Sequence, residues 1–115
     1  MPSTTTYEKW DVVLVSFPFT DFTALKRRPA IVVSPNAVNS GDDFTLLFVT
    51  SRLTGPPRIG DHRIVRWKEA GFPKPSLARM KFVTAHKSVI VKRFGRLEIE
   101  DQQAIEAILT SFFTS

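Results

Sequence analysis

The sequence predicts a small α+β domain, a strongly bent antiparallel sheet followed by one C-terminal helix. Three observations predict it. Short β-branched and apolar runs recur between turn residues from Asp11 to Arg93. The one clean helical stripe comes after Gly95, and neither an internal repeat nor a linker separates two units. With 115 residues the chain supports one modest core. A single domain over residues 1–115 is therefore expected, with the small polar residues 1–8 as a loose tail.

The first strand is read over Asp11–Phe17, where Val13 and Val15 share one face and Val12 and Leu14 the other. Apolar residues on both faces suit a strand covered on each side. A long loop with Pro18, Thr20 and Asp21 leads to Lys26, Arg27 and Arg28, and the second strand follows over Ala30–Val33. Pro35–Asp43 carries Asn, Ser, Gly and Asp and reads as a connecting turn. Phe44–Thr50 is the third strand, Leu53–Gly60 is irregular around Pro56 and Pro57, and His62–Trp67 is a fourth strand. Glu69–Pro75 is another Pro/Gly loop, and Ser76–Val83 and Ser88–Arg93 are two more strands about a turn at Thr84–Lys87. Gly95 breaks the chain before a helix over Glu98–Phe113. There Ile105, Ile108, Leu109 and Phe112 line one stripe, expected to pack on the sheet rather than bind a cofactor. Glu98, Glu100 and Asp101 crowd its N-terminus, where negative charge complements the helix dipole.

Composition narrows the partner class. A formal charge of +5 and a pI near 10.0 favour an anionic partner, nucleic acid first. The chain has no Cys, which excludes a disulfide framework and thiolate metal sites. His62 and His86 lack metal-ligand spacing, so no metal and no cofactor are expected. MPSTTTYEKW has no apolar signal-like run and nothing later reaches membrane-spanning length; a cytoplasmic protein is the expectation. Ten Phe in so short a chain must be largely buried or used at an interface.

The residues richest in chemistry lie between the first two strands. Pro29 lacks a backbone donor and holds Arg28 extended, so its guanidinium sits at a strand entrance, suited to grip a phosphate through two charge-assisted bonds. A solvated loop with three charges is the plain alternative. Further cations, Arg52, Arg58, Arg63, Arg66 and Lys74, follow the third and fourth strands and form a possible track for an RNA strand. Phe17, Phe19, Phe22 or Trp67 would stack on its bases. Core packing is the alternative for most of these aromatics, and Phe22, beside Asp21 in mid-loop, is the candidate for exposure. His86 falls in a turn and reads as a surface residue.

The order FPFTD, Lys26-Arg27-Arg28-Pro29, AIVVS resembles the opening of the MazF/PemK family of toxin endoribonucleases. The resemblance continues through Val49-Thr50-Ser51, Pro75-Ser76, Gly95-Arg96-Leu97 and the final helix. It implies an SH3-like antiparallel β-barrel of the MazF/CcdB type with a C-terminal helix, working as a homodimer. It also implies the toxin of a type II toxin–antitoxin system, a metal-independent endoribonuclease that cleaves single-stranded RNA by attack of a 2′-hydroxyl on its phosphodiester. The implied partners are a cognate acidic antitoxin and, for the toxin–antitoxin complex, operator DNA. In the family the Arg before Pro and the Thr-Ser after the third strand are functional. Arg28, Thr50 and Ser51 match them, and Arg79 falls where some members have a second catalytic Arg. Asp21, Phe22, Lys26, Arg27, Arg52 and Lys81 are the expected RNA contacts. Two positions depart from the pattern. Lys81 stands where some relatives carry an acid, and the first loop has no His, leaving Asp21, Thr20 and Thr23 as its polar groups. A lysine beside Arg79 serves either as base or as phosphate contact. These departures favour a second reading, a nucleic-acid- or partner-binding module on the same barrel with weakened chemistry. A topoisomerase inhibitor is a third, since that activity occurs on a related barrel.

Overall fold

A computed structural model describes residues 6–18 and 25–115. Among them are six strands: β1 (Asp11–Phe17), β2 (Lys26–Val32), β3 (Asp43–Thr50), β4 (His62–Arg63), β5 (Leu77–His86) and β6 (Ile90–Arg96). Two α-helices join them, α1 (Asn36–Asn39) and α2 (Ile99–Thr114). The strands form one sheet in the order β4-β5-β3-β2-β1-β6. Every pairing is antiparallel, and the sheet curls into a half-barrel with α2 at its end.

Both faces of the central strands are buried, as the apolar runs require. On one face Trp10, Val12, Ile31, Leu47, Val49 and Ala78 pack with Ile105 of α2. On the other, Val13, Val15, Ala30, Val32, Phe44 and Leu46 pack with Ile90. Trp10 has a left-handed backbone, φ 77, and ties three elements together. Its N–H donates to Val32 O at 2.6 Å, its carbonyl accepts from Leu97 N–H at 3.0 Å, and its ring lies in the core.

Several boundaries differ from the expected ones, each for a local reason. The second strand begins at Lys26, so the three cations belong to β2, with Val15, Ser16 and Phe17 opposite Arg28, Arg27 and Lys26. Pro29 fits inside because β2 carries no pairing to β3 before Ala30, so a missing donor is tolerated there. Pro35–Asp43 contains the short α1, whose buried Asn39 donates to Ser34 O at 2.9 Å. The fourth strand stops after Arg63, since Val65 and Arg66 give their N–H groups to Asp101. The fifth runs on to His86 and a 3₁₀ turn (Lys87–Val89) takes the reversal. His86 is exposed, as expected, and its Nδ1 accepts from Ser88 N–H.

Gly95 does not break the chain but lies inside β6. It is required for a close approach: a Cβ there would fall 2.3 Å from Ala70 O. The helical stripe is only half covered. Ile105 is buried and Leu109 packs on the core, whereas Phe112 and Phe113 are 39% and 67% exposed. They lie against half-buried Phe82 of β5, at centroid distances of 6.1 and 5.3 Å, with their outer faces exposed.

Candidate active site

The sheet brings Arg28, Thr50, Arg79 and Lys81 to one pocket. Along β5, Ala78, Met80 and Phe82 turn toward the helix-covered core, so Arg79 and Lys81 turn the other way. On β3, Val49 points to that core while Phe48 belongs to the opposite face, which Thr50 then shares. Arg28 precedes Ala30 of that same opposite face by two positions on β2. Pairing of β2 with β3 ends at Ala30↔Phe48. Two residues further on each strand, Arg28 and Thr50 stand across the opened end of the sheet.

An irregularity between β3 and β5 sharpens the arrangement. Leu47 pairs with Phe82 and Val49 with Ala78, so two steps on β3 face four on β5. The extra residues fall at Arg79 to Lys81, and a bulge of this kind re-aims side chains. The result is a cavity of about 160 Å³ lined by Arg28, Phe48, Val49, Thr50, Arg58, Arg79 and Lys81.

Two cavities adjoin it through shared walls. Arg28 also lines one with Lys26, Arg27, Ser51, Pro73 and Lys74. Arg79 also lines the other with Arg52, Thr54, Asp61 and Arg63. Among the described residues the three together carry nine cations, Lys26, Arg27, Arg28, Arg52, Arg58, Arg63, Lys74, Arg79 and Lys81, against one carboxylate, Asp61. The local excess of eight exceeds the +5 of the whole chain, so the basic balance is concentrated on this groove.

Individual groups are prepared for anion contact. Thr50 Oγ1 accepts Arg52 N–H at 3.1 Å, which leaves its O–H to donate toward a phosphate oxygen. Arg79 is held by Asp61 through two bonds, Nε to Oδ1 at 3.1 Å and Nη2 to Oδ2 at 2.9 Å. That hydrogen bond is the main reason the Asp61 carboxyl lies below the ordinary carboxylate range; burial opposes it, and the Arg58 N–H adds to it. Lys81 is exposed, its Nζ 5.8 Å from the Phe48 ring centroid, and presents its charge at the pocket.

Of the expected site residues, Arg28, Thr50, Arg79 and Lys81 meet in the central cavity. Ser51, Lys26 and Arg27 line one flank, and Arg52 lines the other. Asp21 and Phe22 lie outside the described residues, as do Phe19, Thr20 and Thr23. Arg66 leaves the expected track: it pairs with Glu100 at 2.8 Å and Glu69 at 3.7 Å beside α2. Trp67 packs against the core beneath Lys68, and Phe17 lies against Phe48 at 6.3 Å. Asp61 was not singled out by sequence reasoning. Its partner is 18 positions away on β5, and nothing in the Pro/Gly stretch before it marks a carboxylate as functional.

Residues 8–113 match the profile of the PemK-like, MazF-like toxins of type II toxin–antitoxin systems. The chain belongs to that family. The half-barrel of this MazF-like toxin is also found in solved structures at low identity. MazF from Deinococcus radiodurans superposes with a TM-score of 0.75 at 18% identity, covering 97% of this chain and 100% of that one. An endoribonuclease from a mycobacterial species, solved in complex with its cognate antitoxin, gives 0.72 at 14% identity, covering 94% and 93%. A MazE–MazF structure from D. radiodurans gives 0.72 at 17%, covering 96% and 98%. A comparison with curated proteins finds no match. Among the described residues no group of three or more His, Asp or Glu could hold a metal ion, and no helix is long and apolar enough to cross a membrane.

Proposed function

We propose that this MazF-like toxin is an endoribonuclease that cleaves single-stranded RNA without a metal, with the scissile phosphodiester in the cavity between Arg28 and Arg79. The observation that carries this reading is the convergence of Arg28, Thr50, Arg58, Arg79 and Lys81 on one pocket. Cleavage by an internal 2′-hydroxyl makes a crowded phosphorane whose charge must be stabilised while attacking and leaving oxygens stay in line. Guanidinium forks from two strands and the Thr50 hydroxyl grip the non-bridging oxygens. Ser51, Lys26, Arg27 and Lys74 on one flank, and Arg52 and Arg63 on the other, hold the neighbouring phosphates. Lys81 supports the reading as a phosphate contact.

The same surface suits an acidic antitoxin segment, whose carboxylates would occupy the groove in place of RNA phosphates; the similar mycobacterial endoribonuclease is solved in complex with its cognate antitoxin, which supports an antitoxin as partner. A homodimer that buries Phe112 and Phe113 accounts for their exposure in the single chain.

The test is incubation of the purified chain with a long RNA in excess EDTA. Discrete fragments ending in cyclic phosphate are expected, and Arg28→Ala should slow their appearance by about 10²- to 10³-fold, as for loss of one transition-state donor. RNA that is shifted on a gel but never cut would support the binding-module reading instead.

A further inference from the structure

We propose that Asp61 is a positioning residue of this site: its carboxylate stands behind the central pocket and fixes the Arg79 guanidinium and the Arg58 turn where a phosphodiester is received. The inference rests on the endoribonuclease reading for its kinetic consequence, and on geometry for its physical content.

Asp61 lines the flanking cavity and not the central one, while Arg79 lines both. The carboxylate therefore approaches the guanidinium from the side away from the central pocket. Its two bonds, at 3.1 and 2.9 Å, engage Nε and Nη2. The remaining N–H donors, those of Nη1 and the second hydrogen of Nη2, are left for an anion in the central pocket. A guanidinium clamped on one edge is planar and fixed in angle, so it meets a phosphate without losing further rotamer freedom. The Asp61 side chain is 8% exposed and that of Arg79 23%, so water competes weakly for the pair.

The same carboxylate organises the second cation. Asp61 Oδ2 accepts Arg58 N–H at 2.9 Å, and Asp61 N–H donates to Arg58 O at 3.0 Å. This reciprocal pair closes a tight turn over Arg58–Asp61. The turn depends on Gly60, at φ 86, where a Cβ would lie 2.4 Å from Met80 Cγ. The outcome is that Arg58 lines the central pocket beside Arg79. One acid among the nine cations of the described groove thus sets the position of two of them.

A purely electrostatic role makes the opposite prediction. Removing the one carboxylate found among the described residues of a cationic groove should tighten RNA binding and help the reaction. Positioning predicts that cleavage falls although binding does not. A role confined to folding predicts lower stability with turnover intact at saturating RNA.

The experiment compares the full-length chain, Asp61→Asn, Arg79→Ala and the double variant on a short cleavable RNA and its uncleavable 2′-O-methyl counterpart. Asp61→Asn should lower kcat about 10- to 100-fold while affinity for the 2′-O-methyl RNA stays equal or rises. In the Arg79→Ala background the same substitution should change kcat less than about twofold, because the amide oxygen still accepts the Arg58 N–H and the contact it loses is the one to Arg79. Unchanged kcat in Asp61→Asn, or effects that multiply in the double variant, would overturn the proposal. A second readout needs neither activity nor a folded variant: the Arg79 Nε–H resonance of the unmodified protein. It should be protected from exchange and should shift on titration with 2′-O-methyl RNA. A rapidly exchanging or unresponsive signal would also overturn the proposal. If the unmodified chain cleaves no RNA yet this resonance shifts, the endoribonuclease reading fails while Asp61 stands as a positioning group for phosphate binding.

Discussion

Replacing Asp101 with Ala removes the group that fastens the segment after β4 to the start of α2. Asp101 is fully buried. Its Oδ1 accepts from His62 Nε2 at 2.8 Å and Val65 N–H at 2.9 Å, and its Oδ2 accepts from Arg66 N–H at 2.9 Å. Each backbone N–H left without a partner costs about 1–3 kcal/mol when dry. Val65 and Arg66 lie on exposed residues, so water offsets part of this and about 1 kcal/mol each is the better figure. The bond from His62 adds about 1–1.5 kcal/mol. The sum, about 3 kcal/mol, is partly non-additive because the three donors share one carboxylate. With a urea m-value of about 1.5 kcal/mol/M, the denaturation midpoint should fall by about 2 M at constant m. Asp101→Asn, which keeps an acceptor, should lose roughly half as much. A midpoint shift below about 0.5 M for Asp101→Ala would refute the reasoning, since the segment would then be held by its packing alone. The same carboxylate gives a pH dependence. Burial pushes its pKa up, but the bonds from Arg66 N–H, His62 and Val65 N–H outweigh burial, and the net shift is downward. A carboxylate with a depressed folded pKa stabilises fully above its unfolded value, about 3.9. That contribution is lost as pH falls from there through the lower folded value. Acid unfolding of the unmodified chain should therefore steepen below about pH 4, and that steepening should be weaker in Asp101→Ala.

Other consequences follow from single contacts. Gly95→Ala forces a methyl to within 2.3 Å of Ala70 O, a backbone atom; thermal unfolding should show a loss of about 1–3 kcal/mol, and an unchanged Tm would mean the backbone yields freely. Lys26→Ala removes one of the flank cations. The slope of log K against log salt for a single-stranded RNA should drop by about 0.7 if Lys26 meets a phosphate, and by nothing if it does not. Phe113→Asp places a charge on the aromatic group with Phe82 and Phe112. Sedimentation should show a homodimer replaced by a monomer, whereas an unaltered mass would count against a homodimer formed through this face.

The sheet was legible because its strands are announced by β-branched runs on both faces, as with Val12, Val13 and Val15, and the helix because Ile105 and Leu109 keep its period. The sequence was misleading where tertiary pairing overrode a local signal. Gly95 reads as a breaker yet is a strand residue that Ala70 needs to approach. His62–Trp67 alternates like a strand, but the backbone donors of Val65 and Arg66 go to Asp101. In the site, Arg28 and Thr50 were legible because Pro29 and a strand end mark them locally. The gathering of Arg58 and Arg79 was not, since it depends on Asp61 reaching across 18 residues to β5, and no local pattern encodes that reach.

The most direct test of the account is whether the 2′-hydroxyl of the substrate itself does the cutting. An RNA oligonucleotide that the chain cleaves would be compared, at saturating enzyme in EDTA, with the same sequence made as 2′-O-methyl RNA and as DNA. The account predicts that the RNA yields a 2′,3′-cyclic phosphate and a 5′-hydroxyl, and that neither analogue is cut although both occupy the groove. Cleavage of either analogue, or a 5′-phosphate on the RNA product, would contradict it.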